Sequence, residues 1–351
     1  MVAARLSARP AQRFRHVEHI LFTHSGAAVD FMLCLPAIQA TRRRFPQARI
    51  QLVAPDFACD IARLADSADV TRPLGAHRSE ISGPSAFKAL HALNGLRRQV
   101  FDAAVSLTES ALEQAALALI RTRRRLMLRP VAAGTAKRHL TDAAAALVAD
   151  LGVTSARPTP RLALSPATRA GELQKLAKLG WRDDRLTIAL HPTAGCAPQV
   201  WPAERFAPLA AQLAAEYGAQ LLAIETEEEA GLTERLRPEW KRYGLKPIVL
   251  RRPGAALLAA ALSQASVVIG SNRAPIHVAG AVQAPSVVVM DGSRDSSWRA
   301  PRGARDRLLY ALPARPVAPD DVFEAACQAM AASRAGALFV ADDEPPSSAF
   351  A

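Results

Sequence analysis

What is scarce in these 351 residues sets the first limits. Aromatic residues make up 5% of the chain and cysteines number four. With so little Phe, Trp and Tyr beside abundant Ala, Leu, Val and Arg, the composition favours helices packed around aliphatic strands over an all-β sandwich. Cys34, Cys59, Cys196 and Cys327 lie far apart, form no C-x-x-C pair and have no His at ligand spacing. Reduced core thiols are therefore expected, with no disulfide framework, no metal and no other cofactor. No window supplies the ~18 consecutive apolar residues that a membrane-spanning helix needs. The opening stretch with Arg5, Arg9, Arg13 and Arg15 has neither the apolar core nor the small-residue cleavage site of a secretory signal. A cytoplasmic location is the expectation.

Positive charge, by contrast, is plentiful: the formal net charge is +12. A basic surface attracts polyanions, whether nucleic acid, anionic membrane or phosphorylated substrate. Arg42, Arg43, Arg44 and the cluster Arg121, Arg123, Arg124, Arg125 fall where helical patterns end. There they either complement the helix dipole or form an anion patch. No recognition helix, zinc finger or aromatic stacking platform accompanies the charge, so nucleic acid is not an expected partner.

Half of the residues are hydrophobic and 22% are charged, which at this length suggests two domains. Apolar periodicity alternates short strands with longer helices. Strands are expected at His19–Thr23, Ile50–Ala54, Ala103–Leu107 and Leu126–Leu128, with helices at Phe31–Arg44, Phe57–Leu64, Ser85–Arg98 and Ala111–Ile120. Residues 152–168, with Pro158, Pro160 and Pro166 among Ser and Thr, read as a linker. Alternation then resumes, with strands at Leu186–Leu190, Gln220–Ile224, Ile248–Leu250, Val267–Ile269 and Ser286–Val289. Helices are expected at Pro202–Tyr217, Glu227–Leu236, Ala255–Ser263, Ile276–Val282 and Asp320–Ala335. Repeated βα order predicts α/β structure with two doubly wound, Rossmann-like domains, 1–160 and 161–340, and a flexible tail, 341–351. Ligands in such sheets bind beyond the carboxyl ends of the strands, so a central cleft faced by both domains is the expected site.

Three segments carry candidate chemistry. The first strand ends in His24-Ser25-Gly26, and Asp30 follows at the start of a helix. Asp30 is either an N-terminal cap or a carboxylate placed to take a proton. After the strand Leu186–Leu190, the stretch His191 to Trp201 includes Thr193, Gly195 and Gln199 before Pro202-Ala203-Glu204-Arg205-Phe206. This is either an anion-holding loop or a plain connection into a helix. The third segment runs Gly270-Ser271-Asn272-Arg273-Ala274-Pro275-Ile276-His277 out of a buried strand. A helix starting near Pro275 would offer unpaired N–H groups to a diphosphate, with Arg273 adding charge. His277 reads equally as a hydrogen-bonded structural histidine. Glu225, at a strand end, suits ribose hydroxyls, whereas Glu227-Glu228-Glu229 suits an acidic helix start.

In order and spacing these segments resemble glycosyltransferase family 9, the lipopolysaccharide heptosyltransferases, as a divergent member. The resemblance rests on Ile20 to Pro36 with Phe45-Pro46-Gln47-Ala48-Arg49-Ile50, on Trp201-Pro202-Ala203-Glu204-Arg205-Phe206, on Gly270 to His277, and on Trp298 with Pro301. It implies a GT-B fold and a glycosyltransferase that moves a heptose from ADP-heptose, with inversion, to a lipopolysaccharide-core hydroxyl. It also implies an anionic glycolipid acceptor and peripheral contact with the cytoplasmic face of the inner membrane. Asp30 matches the family's catalytic base. The acceptor side is then His24, Ser25 and Gly26, and the donor side Thr193, Gln199, Glu225, Asn272, Arg273, Ala274, Pro275 and His277. The chain departs from the family pattern at several positions. Val29 stands for a Gly, His24 for an Arg, Gln199 for a phosphate-binding Lys, and Asn272-Arg273-Ala274 for Asp-Ser/Thr-Gly. These departures leave a second reading open, a catalytically degenerate protein that binds a nucleotide sugar or serves as an accessory subunit.

Overall fold

The computed structural model describes residues 17–74, 94–128, 138–154, 159–193, 201–291, 297–311 and 316–334. The chain divides into two compact units, one made of Met1–Ala27 with Cys34–Pro158 and the other of Ala28–Leu33 with Thr159–Ala351. The expected helix over Ser85–Arg98 falls mostly outside the described residues, as do Cys196, Gln199 and the tail.

The first unit is built on strands β1 (His19–Thr23), β2 (Arg49–Ala54), β3 (Val70–Pro73), β4 (Val100–Ser106) and β5 (Arg121–Met127). They lie in the order β3-β2-β1-β4-β5, with every adjacent pair parallel. The central strands are continuous apolar runs because helices cover both faces. Ile20, Leu21, Phe22, Ile50, Leu52 and Phe101 are fully buried. Strand order reverses between β1 and β4, the point where a doubly wound sheet opens a crevice beyond its carboxyl ends.

The arginine cluster corrects the sequence reading. Residues 121–127 form the edge strand β5, not the end of a helix. Alternate residues point outward, as suits charge on an exposed sheet edge. Arg125 nevertheless reaches back to the carbonyls of Leu117, Ala118 and Ile120, where the preceding helix Ala111–Ala118 ends.

The second unit carries β6 (Thr187–His191), β7 (Gln220–Glu225), β8 (Ile248–Arg251), β9 (Val267–Ser271), β10 (Ser286–Asp291) and β11 (Asp306–Ala311). Their order is β11-β10-β9-β6-β7-β8, again all parallel, with the reversal between β6 and β9. Its core joins Ile188, Leu190, Val267, Ile269, Val287 and Val289 of the sheet to Phe206, Leu213, Val322 and Ala326 of flanking helices. Trp201 is buried edge-on to Phe206, with ring centroids 4.8 Å apart.

The expected linker shrinks, because Pro166 is the first residue of a helix, Pro166–Lys178. Ser165 caps it by accepting from the Thr168 N–H, so the proline supplies a preset φ rather than a break. The single helix expected over Glu227–Leu236 is a turn followed by two short helices, Leu232–Arg235 and Arg237–Arg242. Gly231 stands in the left-handed region at φ 81° and divides turn from helix. No helix among the described residues is long and apolar enough to cross a membrane.

Candidate functional site

Beyond the carboxyl end of β1, the buried His24 ring hydrogen-bonds the Ala27 carbonyl at 3.2 Å, which closes the turn into the helix Ala28–Arg44. Ser25 Oγ lies 3.5 Å from Thr108 Oγ1, just past the end of β4. Gly26 passes so close that a Cβ would sit 3.2 Å from the His24 ring and 3.3 Å from the Thr108 methyl. The three residues expected to meet an acceptor thus stand at the strand-order reversal of the first sheet.

The group that joins these two strand ends was not expected from the sequence. Glu113 is buried and its carboxylate accepts three hydroxyl hydrogen bonds, from Thr23 Oγ1 at 2.5 Å, Ser106 Oγ at 2.9 Å and Thr108 Oγ1 at 2.6 Å. It ties the end of β1 to the end of β4. Its only sequence signal is Ser110 three residues earlier, a capping-box spacing in which the Glu turns inward to the hydroxyls.

Asp30 lies in the first turn of Ala28–Arg44, whose N-cap is Ala27 with no side-chain cap. Its carboxylate instead pairs with Arg299. Arg299 Nη2 donates to Oδ2 at 2.7 Å, and Nε stands 2.6 Å from Oδ1. Both residues belong to the second contact unit, which takes in residues 28–33. Of the two readings of Asp30, the cap is therefore set aside. Arg299 itself stacks over Trp298, with its guanidinium carbon 4.2 Å from the ring centroid.

At the reversal of the second sheet, Thr193 Oγ1 meets Ser271 Oγ at 3.1 Å, linking the ends of β6 and β9. Gly270 is required by close approach, since a Cβ there would lie 3.1 Å from His191 Cβ. Asn272 uses both ends of its amide. Nδ2 donates to the Arg299 carbonyl at 3.0 Å, and Oδ1 is 2.7 Å from His277 Nε2. The helix that follows is Ala274–Ala281, one residue earlier than the Pro275 start expected, with Pro275 second. The anion-binding capacity of this terminus is narrower than the sequence suggested. Pro275 has no N–H, and the Ile276 N–H donates to Arg273 O at 3.0 Å. Ala274, the first residue of the helix, has its N–H outside the intrahelical ladder.

Arg273, the exposed N-cap, lies 3.6 Å from Glu228. Glu225, at the end of β7, is buried with Oε2 accepting from the Thr233 N–H at 2.9 Å and from the Thr233 hydroxyl. Burial works to raise its pKa. The Thr233 hydrogen bonds, a Gly231 amide and the Arg251 charge outweigh that and hold it below the ordinary range. Glu225 thus caps the helix Leu232–Arg235 within its own unit.

The sequence reading also missed a second buried carboxylate, Glu229, whose Oε2 lies 3.4 Å from His191 Nε2, with the Thr226 hydroxyl donating to it. Burial again opposes ionisation, and the neighbouring His191 ring, the Thr226 hydroxyl and the charge of Arg273 outweigh it, lowering its pKa. No group of three or more His, Cys, Asp or Glu among the described residues is arranged to hold a metal ion.

A sequence profile of glycosyltransferase family 9 (heptosyltransferase) matches residues 94–314, well over half of the chain. The chain belongs to glycosyltransferase family 9. The matched span contains the whole second sheet and Arg299; Asp30 precedes it. A sequence search of curated proteins gives no match. Among solved structures, a glycosyl transferase family 9 protein from Veillonella parvula DSM 2008 superposes with a TM-score of 0.74 at 18% identity, covering 90% of this chain and 97% of its own. The E. coli ADP-heptose lipopolysaccharide heptosyltransferase II gives 0.69 at 16%, covering 90% and 99%. The E. coli heptosyltransferase WaaC with ADP gives 0.68 at 15%, covering 89% and 99%. Identities this low speak to the fold, which is that of these GT-B enzymes: two parallel-sheet α/β units.

Proposed function

We propose that this family 9 chain transfers a sugar, a heptose carried as ADP-heptose, with inversion onto a hydroxyl of a lipopolysaccharide-core-type acceptor. The observation that carries the reading is the Asp30 carboxylate, held by Arg299 within 2.7 Å while the same arginine's carbonyl accepts from Asn272 beside the helix Ala274–Ala281. A proton acceptor and a diphosphate-binding helix terminus are thereby linked through one residue.

In the proposed step the acceptor hydroxyl gives its proton to Asp30 as its oxygen forms a bond to the anomeric carbon. The bond from that carbon to the diphosphate oxygen breaks, and its electron pair leaves with ADP. In-line displacement inverts the centre. A carboxylate has about four lone-pair sites, so two contacts with Arg299 leave room for the acceptor. His24, Ser25 and Gly26 line the acceptor side. Negative charge growing on ADP meets the Ala274 amide, the helix dipole and Arg273, which offsets in part the charge absent at Gln199. Thr193, Glu225, Pro275 and His277 shape the donor side. The net charge of +12 supports attraction to an anionic glycolipid and to the cytoplasmic face of an anionic membrane.

The test is transfer from ADP-heptose by purified protein. Asp30→Asn is expected to lower kcat by at least about 10²-fold, and unchanged turnover sinks the assignment. A second reading, a nucleotide-sugar-binding protein without turnover, is favoured by the neutral Asn272, both ends of whose amide are engaged within the fold. Calorimetry showing ADP-heptose binding, with no transfer to any lipopolysaccharide-core acceptor, would select it.

A further inference from the structure

Asn272 connects His277 to the loop that carries Arg299, and the chemistry of that connection admits only an amide. The Arg299 carbonyl can only accept, so the group 3.0 Å from it must be the Asn272 NH2. That orientation turns Oδ1, which also only accepts, toward His277 at 2.7 Å. His277 must then carry its proton on Nε2. Arg299, held through its backbone and stacked on Trp298, presents its guanidinium to both oxygens of Asp30. A carboxylate at 272 would keep the His277 bond and set a lone pair against the Arg299 carbonyl.

We infer that Arg299 is the positioning residue for Asp30, and that Asn272 holds Arg299 in register while setting the His277 tautomer. The acidic residue of the family pattern is, in this chain, exchanged for a structural link. This inference rests on the role proposed for Asp30, and it extends that role to three residues acting as a unit.

The test pairs steady-state kinetics with a readout on the protein alone. Arg299→Gln is expected to lower kcat about 10²-fold, the scale on which a misplacement of an ångström is felt, with the donor KM within about twofold. Arg299→Lys, which keeps a cation but not the two-pronged contact, is expected to recover part of the loss. Asn272→Asp should lower kcat similarly, and the double variant Asn272→Asp/Arg299→Gln should be no worse than either single change. In wild-type protein labelled with 15N-histidine, the His277 ring signals should show the proton on Nε2. A rise in KM alone makes Arg299 a donor ligand and overturns the inference, as do additive losses in the double variant or a His277 ring with no proton on Nε2. If wild-type protein fails to turn over ADP-heptose, the donor assignment falls, and the histidine spectrum still decides the link.

Discussion

Asp306 anchors the loop that brings Arg299 to Asp30, and its ionisation offers a direct measure of that anchor. The residue opens β11, and its carboxylate accepts from the Gly303 N–H at 2.5 Å and from Ser286 Oγ at 3.0 Å. Burial pushes its pKa up to about 6 from the ordinary 3.8, against the pull of those two hydrogen bonds. The native state therefore holds a proton in a range where the unfolded chain has lost it. Stability from this group is complete below the unfolded value and is lost as pH rises through about 6. The full loss is about 3 kcal/mol, of which about 2 kcal/mol falls between pH 4.5 and pH 7.5. Asp306→Asn cannot titrate, so the difference between wild type and variant isolates the group from every other ionisation. The four tryptophans, Trp181, Trp201, Trp240 and Trp298, all belong to the second unit, and their fluorescence in a guanidinium titration follows that unit alone. Relative to the variant, the wild type should be about 2 kcal/mol more stable at pH 4.5 than at pH 7.5. A difference that is flat with pH, or that grows toward pH 7.5, refutes the reasoning.

Two further outcomes follow from the packing around the strand-order reversals. Gly270→Ala puts a methyl 3.1 Å from His191 Cβ and 3.3 Å from its carbonyl oxygen. Adjacent parallel strands cannot part locally, so about 1–3 kcal/mol of stability should be lost, read by the same fluorescence titration. Glu113→Ala leaves Thr23, Ser106 and Thr108 hydroxyls without their shared acceptor. A loss of about 3 kcal/mol is expected in the first unit, which has no tryptophan, so hydrogen exchange of β1 and β4 amides is the measurement, and unchanged protection there contradicts the role.

Central strands were legible because burial on both faces makes them continuous apolar runs, as in Thr187–His191 and Val267–Ser271. The edge strands fared worse. Val70–Pro73 and Asp306–Ala311 were not expected as strands, and of Arg121–Met127 only the end from Leu126 was, its arginines passing for a helix end. An edge strand borrows its order from one neighbour, so its side chains need not be apolar. Pro166 misled in the opposite direction, since a proline signals a helix start as readily as a break.

The residues that punctuate strand-to-helix turns were determined by local sequence alone: His24-Ser25-Gly26 before Asp30, and Asn272 to His277 after β9. Small residues and helix starters dictate such turns within a few positions, and parallel order then sends them to the carboxyl edge of a sheet. Which groups those turns would meet was decided by tertiary structure. Asp30 and Arg299 are 269 residues apart, and Glu113 finds Thr23 across 90. A pairing over such separations follows from how sheets and helices stack, and hydrophobic periodicity says where a chain turns, not which charge waits at the other side.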